Sequence, residues 1–147
     1  MITVNKMNSN DFNTILDFAK NFYSSNAVNH SVPEQTLAAS VTEAIGDNPN
    51  FVGYTFKDGE KTVGFSYIST YFESEIGGIC VLIEDIYIVE KHRGQGICSR
   101  YFDFIFNEYS FAKRFRIELT PENNDARRLY ERIGFKTLSY DQMIIDQ

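Results

Sequence analysis

The chain predicts a mixed α/β (α+β) fold: a mostly antiparallel sheet flanked by helices, in the element order β-α-α-β-β-β-α-β-α-β. Three patterns carry this expectation. Phe51–Phe56 and Thr62–Tyr71 are strand-like runs joined by Lys57-Asp58-Gly59-Glu60, a hairpin turn. Ile79–Val89 is a longer run, apolar on both faces as a central strand should be. Four further segments carry apolar residues at helical spacing.

Taken in order, Ile2–Lys6 reads as a short first strand. Asn8, with Asp11 three residues on, can open a helix, because an Asn side chain accepts from the first unpaired N–H groups. Phe12, Ile15, Leu16, Ala19, Phe22 and Tyr23 then follow at helical spacing. Ser24–Ser31 is polar and reads as a loop. Pro33 suits a first helical turn, and Leu37, Ala38, Val41, Ala44 and Ile45 continue a second helix that Gly46 and Pro49 end. After the hairpin, Phe72–Gly78 is a polar loop with Glu73 and Glu75. Ile97, Tyr101, Phe104, Ile105 and Glu108 share one side of a third helix. Arg114–Leu119 reads as a strand entering a Thr120-Pro121 break. Asn123 can cap a helix through Ile133, which Gly134 stops, and Lys136–Ile145 reads as a last strand.

With 147 residues the chain fits one domain with one core. At 43% hydrophobic and 15% aromatic it is too apolar for a disordered chain. A net charge of −6 argues against a general nucleic-acid binder and suits either solubility or a cationic partner. Cys80 and Cys98 have no metal-ligand or redox spacing and read as reduced thiols of a cytoplasmic protein; no metal site is expected. The N-terminal segment lacks the apolar core of a signal peptide, and no run approaches the ~18 apolar residues of a membrane span.

The most informative stretch is Ile83–Cys98. An apolar strand meets a polar turn, two glycines follow, and a helical pattern begins at once. Converging turn amides and the partial positive charge of a helix start make a phosphate site. Glycine lets the backbone approach a diphosphate without a Cβ in the way. The dinucleotide fingerprint is a poor fit: its third glycine is absent, with Ser99 in its place, and the turn follows four strands rather than one.

The element order together with Arg93-Gly94-Gln95-Gly96-Ile97-Cys98 resembles the GNAT superfamily of acyl-CoA-dependent N-acetyltransferases. Arg93, Gly96 and Cys98 fill the acyl-CoA motif, Cys98 standing where the family has Gly or Ala. Asn123, Ala126, Leu129 and Tyr130, followed by Gly134-Phe135, resemble the family's Asn-x-x-Ala-x-x-Leu-Tyr helix and its end. Glu84–Ile88 resembles the strand that lines the acetyl group.

The resemblance implies an enzyme moving an acetyl group from acetyl-CoA, its co-substrate, to a primary amine of a small molecule or peptide, by direct attack in a ternary complex. The backbone of Ile86, Tyr87 and Ile88 would bind the pantetheine arm and thioester. The amides of Gly94, Gln95, Gly96, Ile97, Cys98 and Ser99, with Arg93, would hold the pyrophosphate, and Cys98 is the position where crowding is expected. Asn123 would cap its helix and contact the CoA arm. Tyr130 is the expected general acid for the leaving thiolate, its alternative being core packing. Glu84 is the candidate base, since a carboxylate inside an apolar strand is partly desolvated; Asp85 is the second candidate, and either could instead form a structural ion pair.

Residues 84, 86 and 88 are expected on one strand face and 85 and 87 on the other. Cys98 as a nucleophile would need His92 or His30 as partner, and neither spacing specifies contact. His30 could instead line the acceptor pocket. Glu73, Glu75, Glu84 and Asp85 are expected to give that pocket a negative field. The competing function is a non-catalytic acyl-CoA-binding sensor, which could lack both Tyr130 and Glu84; a protein-interaction domain is a third. No nucleic-acid or membrane partner is expected, and a homodimer is compatible with the family.

Overall fold

The computed structural model describes residues 1–25 and 31–147. Strand β1 (Ile2–Lys6) leads through a 3-10 turn, Ser9–Asp11, into helix α1 (Phe12–Tyr23), followed by α2 (Glu34–Ile45). Strands β2 (Phe51–Asp58), β3 (Lys61–Glu73) and β4 (Gly78–Ile88) come next. A second 3-10 turn, Glu90–His92, precedes α3 (Ile97–Glu108), then β5 (Arg114–Ile117) and α4 (Asn124–Ile133). The sheet order is β1-β2-β3-β4-β5; the first four strands pair antiparallel, and β5 runs parallel to β4. The mixed, mostly antiparallel sheet flanked by helices is as the sequence predicts.

Local chemistry explains the element starts. Asn8 accepts from the Asn10 amide at 2.9 Å, and Asp11 accepts from the Asn8 amide at 2.9 Å, a reciprocal capping box. The Asn123 side chain accepts from the Ala126 amide at 3.2 Å and caps α4. Gly134 ends α4 in a left-handed conformation, its amide bonding back to the Tyr130 carbonyl at 3.1 Å.

The sheet is covered on both faces. Val81, Ile83 and Ile88 of β4 join Phe56, Tyr101, Phe102 and Ile105 in the layer beneath α3, with Tyr130 and Phe135 packed against it. Phe65 and Tyr67 of β3 join Ile15, Ala19, Leu37 and Val41 in the layer beneath α1 and α2, against which Tyr87 packs. The predicted alternation holds for Ile86 and Ile88 against Asp85 and Tyr87, but not for Glu84, which the sequence places beside Ile86 and Ile88 and which is skipped in the pairing with β3.

Two expectations meet a different outcome. The last strand predicted over Lys136–Ile145 is not formed; those residues have no regular secondary structure. A strand needs a backbone ladder, and here side chains hold the segment instead. Tyr140 donates to Glu75 at 3.3 Å and Gln142 to Glu118 at 2.8 Å, while a tight Tyr140 amide to Leu138 carbonyl bond bends the backbone. Met143, Ile144 and Ile145 are exposed. Most of the loop predicted over Ser24–Ser31, and His30 within it, falls at 26–30, outside the described residues.

Candidate active site at the β4–β5 split

The site begins with a fault in the sheet. Tyr67 pairs with Asp85 and Ile68 with Ile83, so Glu84 is an extra residue, a β-bulge in the central strand. The bulge explains how Ile83 and Ile86 reach the same core layer. It also coincides with the end of the β4–β5 pairing, whose last register pair is Ile83 with Ile117. Beyond that point β4 continues to Ile88 without β5 beside it. A cavity of about 950 Å³ opens at the split. Glu84, Asp85, Glu118, Thr120 and Tyr130 line it on the strand and α4 side, and Ala19, Tyr23 and Leu37 on the α1–α2 side.

At the far end of β4 the chain turns into α3. Gly94 and Gly96 have φ of +74° and +80°, a left-handed conformation that favours glycine. A Cβ at either would meet no atom within 4 Å, so the loop faces open space. Helix α3 has no side-chain cap, and its first backbone bond runs from the Arg100 amide to the Gly96 carbonyl at 3.1 Å. The amides of Ile97, Cys98 and Ser99 therefore lack helical partners and point from a helix N-terminus. This arrangement fits a pyrophosphate, and the open edge of β4 over Asp85–Ile88 fits an extended amide-bearing arm.

Arg93 is not a free surface charge. Its Nε donates to the Ile88 carbonyl at 2.7 Å, and its guanidinium lies 5.6 Å from the Tyr87 ring centroid. The side chain thus braces the end of β4 against the loop. Gln95 reaches back to the Lys91 carbonyl at 3.2 Å. Ile97 is buried, so only its backbone is available to a ligand.

The two neighbouring carboxylates differ sharply in environment. Glu84 is exposed at the bulge and accepts from Ser69 Oγ. Asp85 is buried, and Tyr23 Oη donates to both of its oxygens, at 3.1 and 3.0 Å. Burial pushes the Asp85 carboxyl up to about 6; the Tyr23 hydrogen bond pulls the other way and the Glu84 charge adds to the rise. A carboxyl in this range can take a proton at neutral pH.

Tyr130 lies on the cavity wall, its ring edge-on to Phe102 at 5.9 Å and to Phe135 at 6.1 Å. Core packing and cavity access are thus combined in one side chain. Burial raises its phenol well above the ordinary tyrosine value, so it stays protonated. Cys98 packs against the core beneath α3, and burial pushes its thiol up to about 11. A thiol so protonated is a poor nucleophile, despite its place at a helix N-terminus.

The expected negative field is largely offset. Glu73 pairs with Arg114 and, at 3.4 Å, with Arg116, and Glu75 lies 3.4 Å from Arg114. These arginines, from β5, neutralise the acidic loop side. His92 lies 3.4 Å from Asp58, away from Cys98's core contacts. Two residues escaped the sequence reading. Tyr23 and Tyr67 face Asp85 from α1 and β3; the sequence places Tyr23 only in the apolar stripe of its helix and Tyr67 only within its strand. Tyr23 and Asp85 are 62 positions apart, so no local spacing signals their contact. Among the described residues no cluster of His, Cys, Asp and Glu could hold a metal ion, and no helix is long and apolar enough to cross a membrane.

A possible acetyltransferase from Clostridium difficile 630 superposes with a TM-score of 0.84 at 18% identity, covering 100% of this chain and 98% of that one. AAC(6')-Iy, in complex with the bisubstrate analogue CoA-S-monomethyl-acetylneamine, gives 0.81 at 13% identity, covering 100% and 99%. A predicted acetyltransferase with acetyl-CoA from Clostridium acetobutylicum gives 0.80 at 14% identity, covering 99% and 96%. At these identities the likeness is one of fold. No curated protein sequence matches the chain. The profile of the Acetyltransferase (GNAT) family matches residues 14–135. The chain belongs to the GNAT acetyltransferase family, and is an acetyltransferase that takes its acyl group from acetyl-CoA.

Proposed function

We propose that the protein acetylates a primary amine of a small molecule or peptide by direct attack in a ternary complex, with Asp85 receiving the amine's proton and Tyr130 serving the departing thiolate. The observation that carries this reading is the placement of a buried, high-titrating carboxyl and a protonated phenol on one cavity at the β4–β5 split. Acetyl-CoA supplies an activated thioester carbonyl. The Gly94–Ser99 amides would bind its pyrophosphate and the open β4 edge at Ile86–Ile88 its pantetheine arm, with Asn123 at the start of α4 beside it. A backbone amide of that edge would polarise the carbonyl.

An alkyl amine with a pKa near 10.4 is neutral in only about one molecule in a few thousand at pH 7. Asp85 answers that need better than Glu84, because burial raises its carboxyl while Glu84 is exposed to solvent. Glu84, an exposed residue of the cavity lining, is the alternative base. The ordering of effects decides between them: Asp85→Asn is expected to lower turnover more than Glu84→Gln. The reverse order would return the base to Glu84.

Tyr130→Phe keeps the ring that packs on Phe102 and Phe135 and removes only the hydroxyl. It is expected to lower kcat by roughly a hundredfold, with acetyl-CoA affinity little changed. Stopped-flow turnover and calorimetric binding check the two halves; unchanged turnover would remove Tyr130 from the acid role. The protonated Cys98 thiol supports direct transfer over a covalent acetyl-cysteine step. For the enzyme as a whole, release of free CoA that depends on an added amine is the test.

A further inference from the structure

The α1–α2 side of the cavity carries chemistry that narrows the acceptor. Tyr67 and Asp85 are direct register partners on β3 and β4, so their side chains project from the same sheet face. That face lies beneath α1 and α2, from which Tyr23 reaches Asp85. Tyr67 is only 3% exposed, lines the same cavity, and its hydroxyl has no hydrogen-bond partner among the described residues. Its ring is fixed by Phe51 at 5.2 Å and Phe65 at 5.1 Å, so the hydroxyl is not free to swing out to water. A buried hydroxyl left without a partner is costly. Next to a carboxylate in a cavity, it marks a place for a ligand's polar group.

The walls around it carry no charge besides Asp85 and are largely apolar, with Thr36 and Ser40 of α2 as the small polar exceptions. Ala19, Phe22, Val32 and Leu37 line the α1–α2 side of the cavity. Elsewhere the cavity carries Arg114, Arg116, Arg127 and Lys136 against Glu84, Glu118 and Glu131. A polycation would need carboxylates spread along its length and would meet those four cationic side chains. A single amine on an apolar body needs only one buried carboxylate and a greasy wall.

We propose that Asp85, Tyr23 and Tyr67 form the seat of the acceptor's amine, and that the acceptor is a small monoamine carried on an apolar body. This rests on the acetyltransferase reading above and deepens it. The amine nitrogen donates to the Tyr67 oxygen and to Asp85, and transfer of its proton to Asp85 leaves the neutral, attacking form. Asp85 takes the ammonium's proton first; on transfer the nitrogen lone pair forms the bond to the acetyl carbon, the carbon–sulfur bond breaks, Tyr130 gives its proton to the thiolate, and the proton the nitrogen then sheds restores the phenol. Tyr67 is a binding residue in this scheme and takes up no proton.

The test compares phenethylamine and spermidine as acceptors, for the native chain and for Tyr67→Phe. That substitution removes no hydrogen bond among the described residues, so melting temperature and acetyl-CoA affinity serve as folding controls. The native chain is expected to favour phenethylamine by about tenfold or more in kcat/KM, and Tyr67→Phe to raise the KM for phenethylamine about tenfold, the scale of one hydrogen bond. Preference for spermidine, or an unchanged KM in Tyr67→Phe, overturns the inference while leaving an active acetyltransferase. If neither these nor a broader set of amines releases CoA, the acetyltransferase reading fails first, and this one with it.

Discussion

Replacing Gly96 with valine is expected to abolish acetyl-CoA binding, with at least about a hundredfold loss of affinity. Two effects act together. Gly96 sits at φ +80°, where a residue with a Cβ costs about 1–2 kcal/mol and a β-branched one more. The added side chain also projects into the open space before the α3 amides, where a diphosphate would lie. Because that space is empty of protein atoms, the substitution creates no internal clash, and the fold should survive with a modest fall in melting temperature. Calorimetric titration with acetyl-CoA checks the result. Gly96→Ala should fall between the two, since it adds the strain and only a methyl group. Normal affinity in the valine variant would remove the loop from pyrophosphate binding.

Asp85→Asn is expected to lower turnover by about a hundredfold or more, the usual scale for loss of a general base. The pH dependence gives the sign. Asp85 works as a base only when ionised, so kcat/KM should fall about tenfold per pH unit below about 6 and level off above it. The Asp85→Asn variant should lose that limb. Stability should move the other way. The folded carboxyl titrates near 6 against an ordinary value of 3.8, so the native state holds the proton more tightly than the unfolded chain. Its contribution is therefore most favourable below 3.8 and is lost as pH rises to about 6. Asn removes the buried charge and can still accept from Tyr23, so the variant should melt higher at neutral pH while turning over more slowly, a trade common at active sites. A variant that keeps full turnover would return Asp85 to a structural role.

Much of this architecture was legible because its signals are local. The hairpin at Asp58 and Gly59, the Asn8 and Asn123 caps, the Gly94–Gly96 turn and the glycine that ends α4 each follow from residues within one turn of one another. The bulge at Glu84 was not legible. Strict alternation put Glu84 in line with Ile86 and Ile88, and only pairing against Tyr67 and Ile68 reveals the extra residue. That single shift separates an exposed carboxylate from a buried one, and so changes which of two adjacent acids is the stronger base candidate. The Tyr23–Asp85 contact and the orphaned Tyr67 hydroxyl belong to the same class, since long-range register creates them. The apolar pattern of Lys136–Ile145 misled for a related reason: alternation describes a strand's faces but does not supply its partner. Cys98 read as an intrusion at the pyrophosphate; its packing against the core makes it part of the support for α3.

The most direct measurement is free-CoA release from acetyl-CoA with and without added amine, with the acetylated product identified by mass spectrometry. The account predicts release that depends on the amine, yields one acetylated amine per CoA, and collapses in Asp85→Asn. Tight acetyl-CoA binding with no amine-dependent release, across monoamines, polyamines, aminoglycosides, amino acids and N-terminal peptides, would contradict it and leave an acyl-CoA-binding sensor in its place.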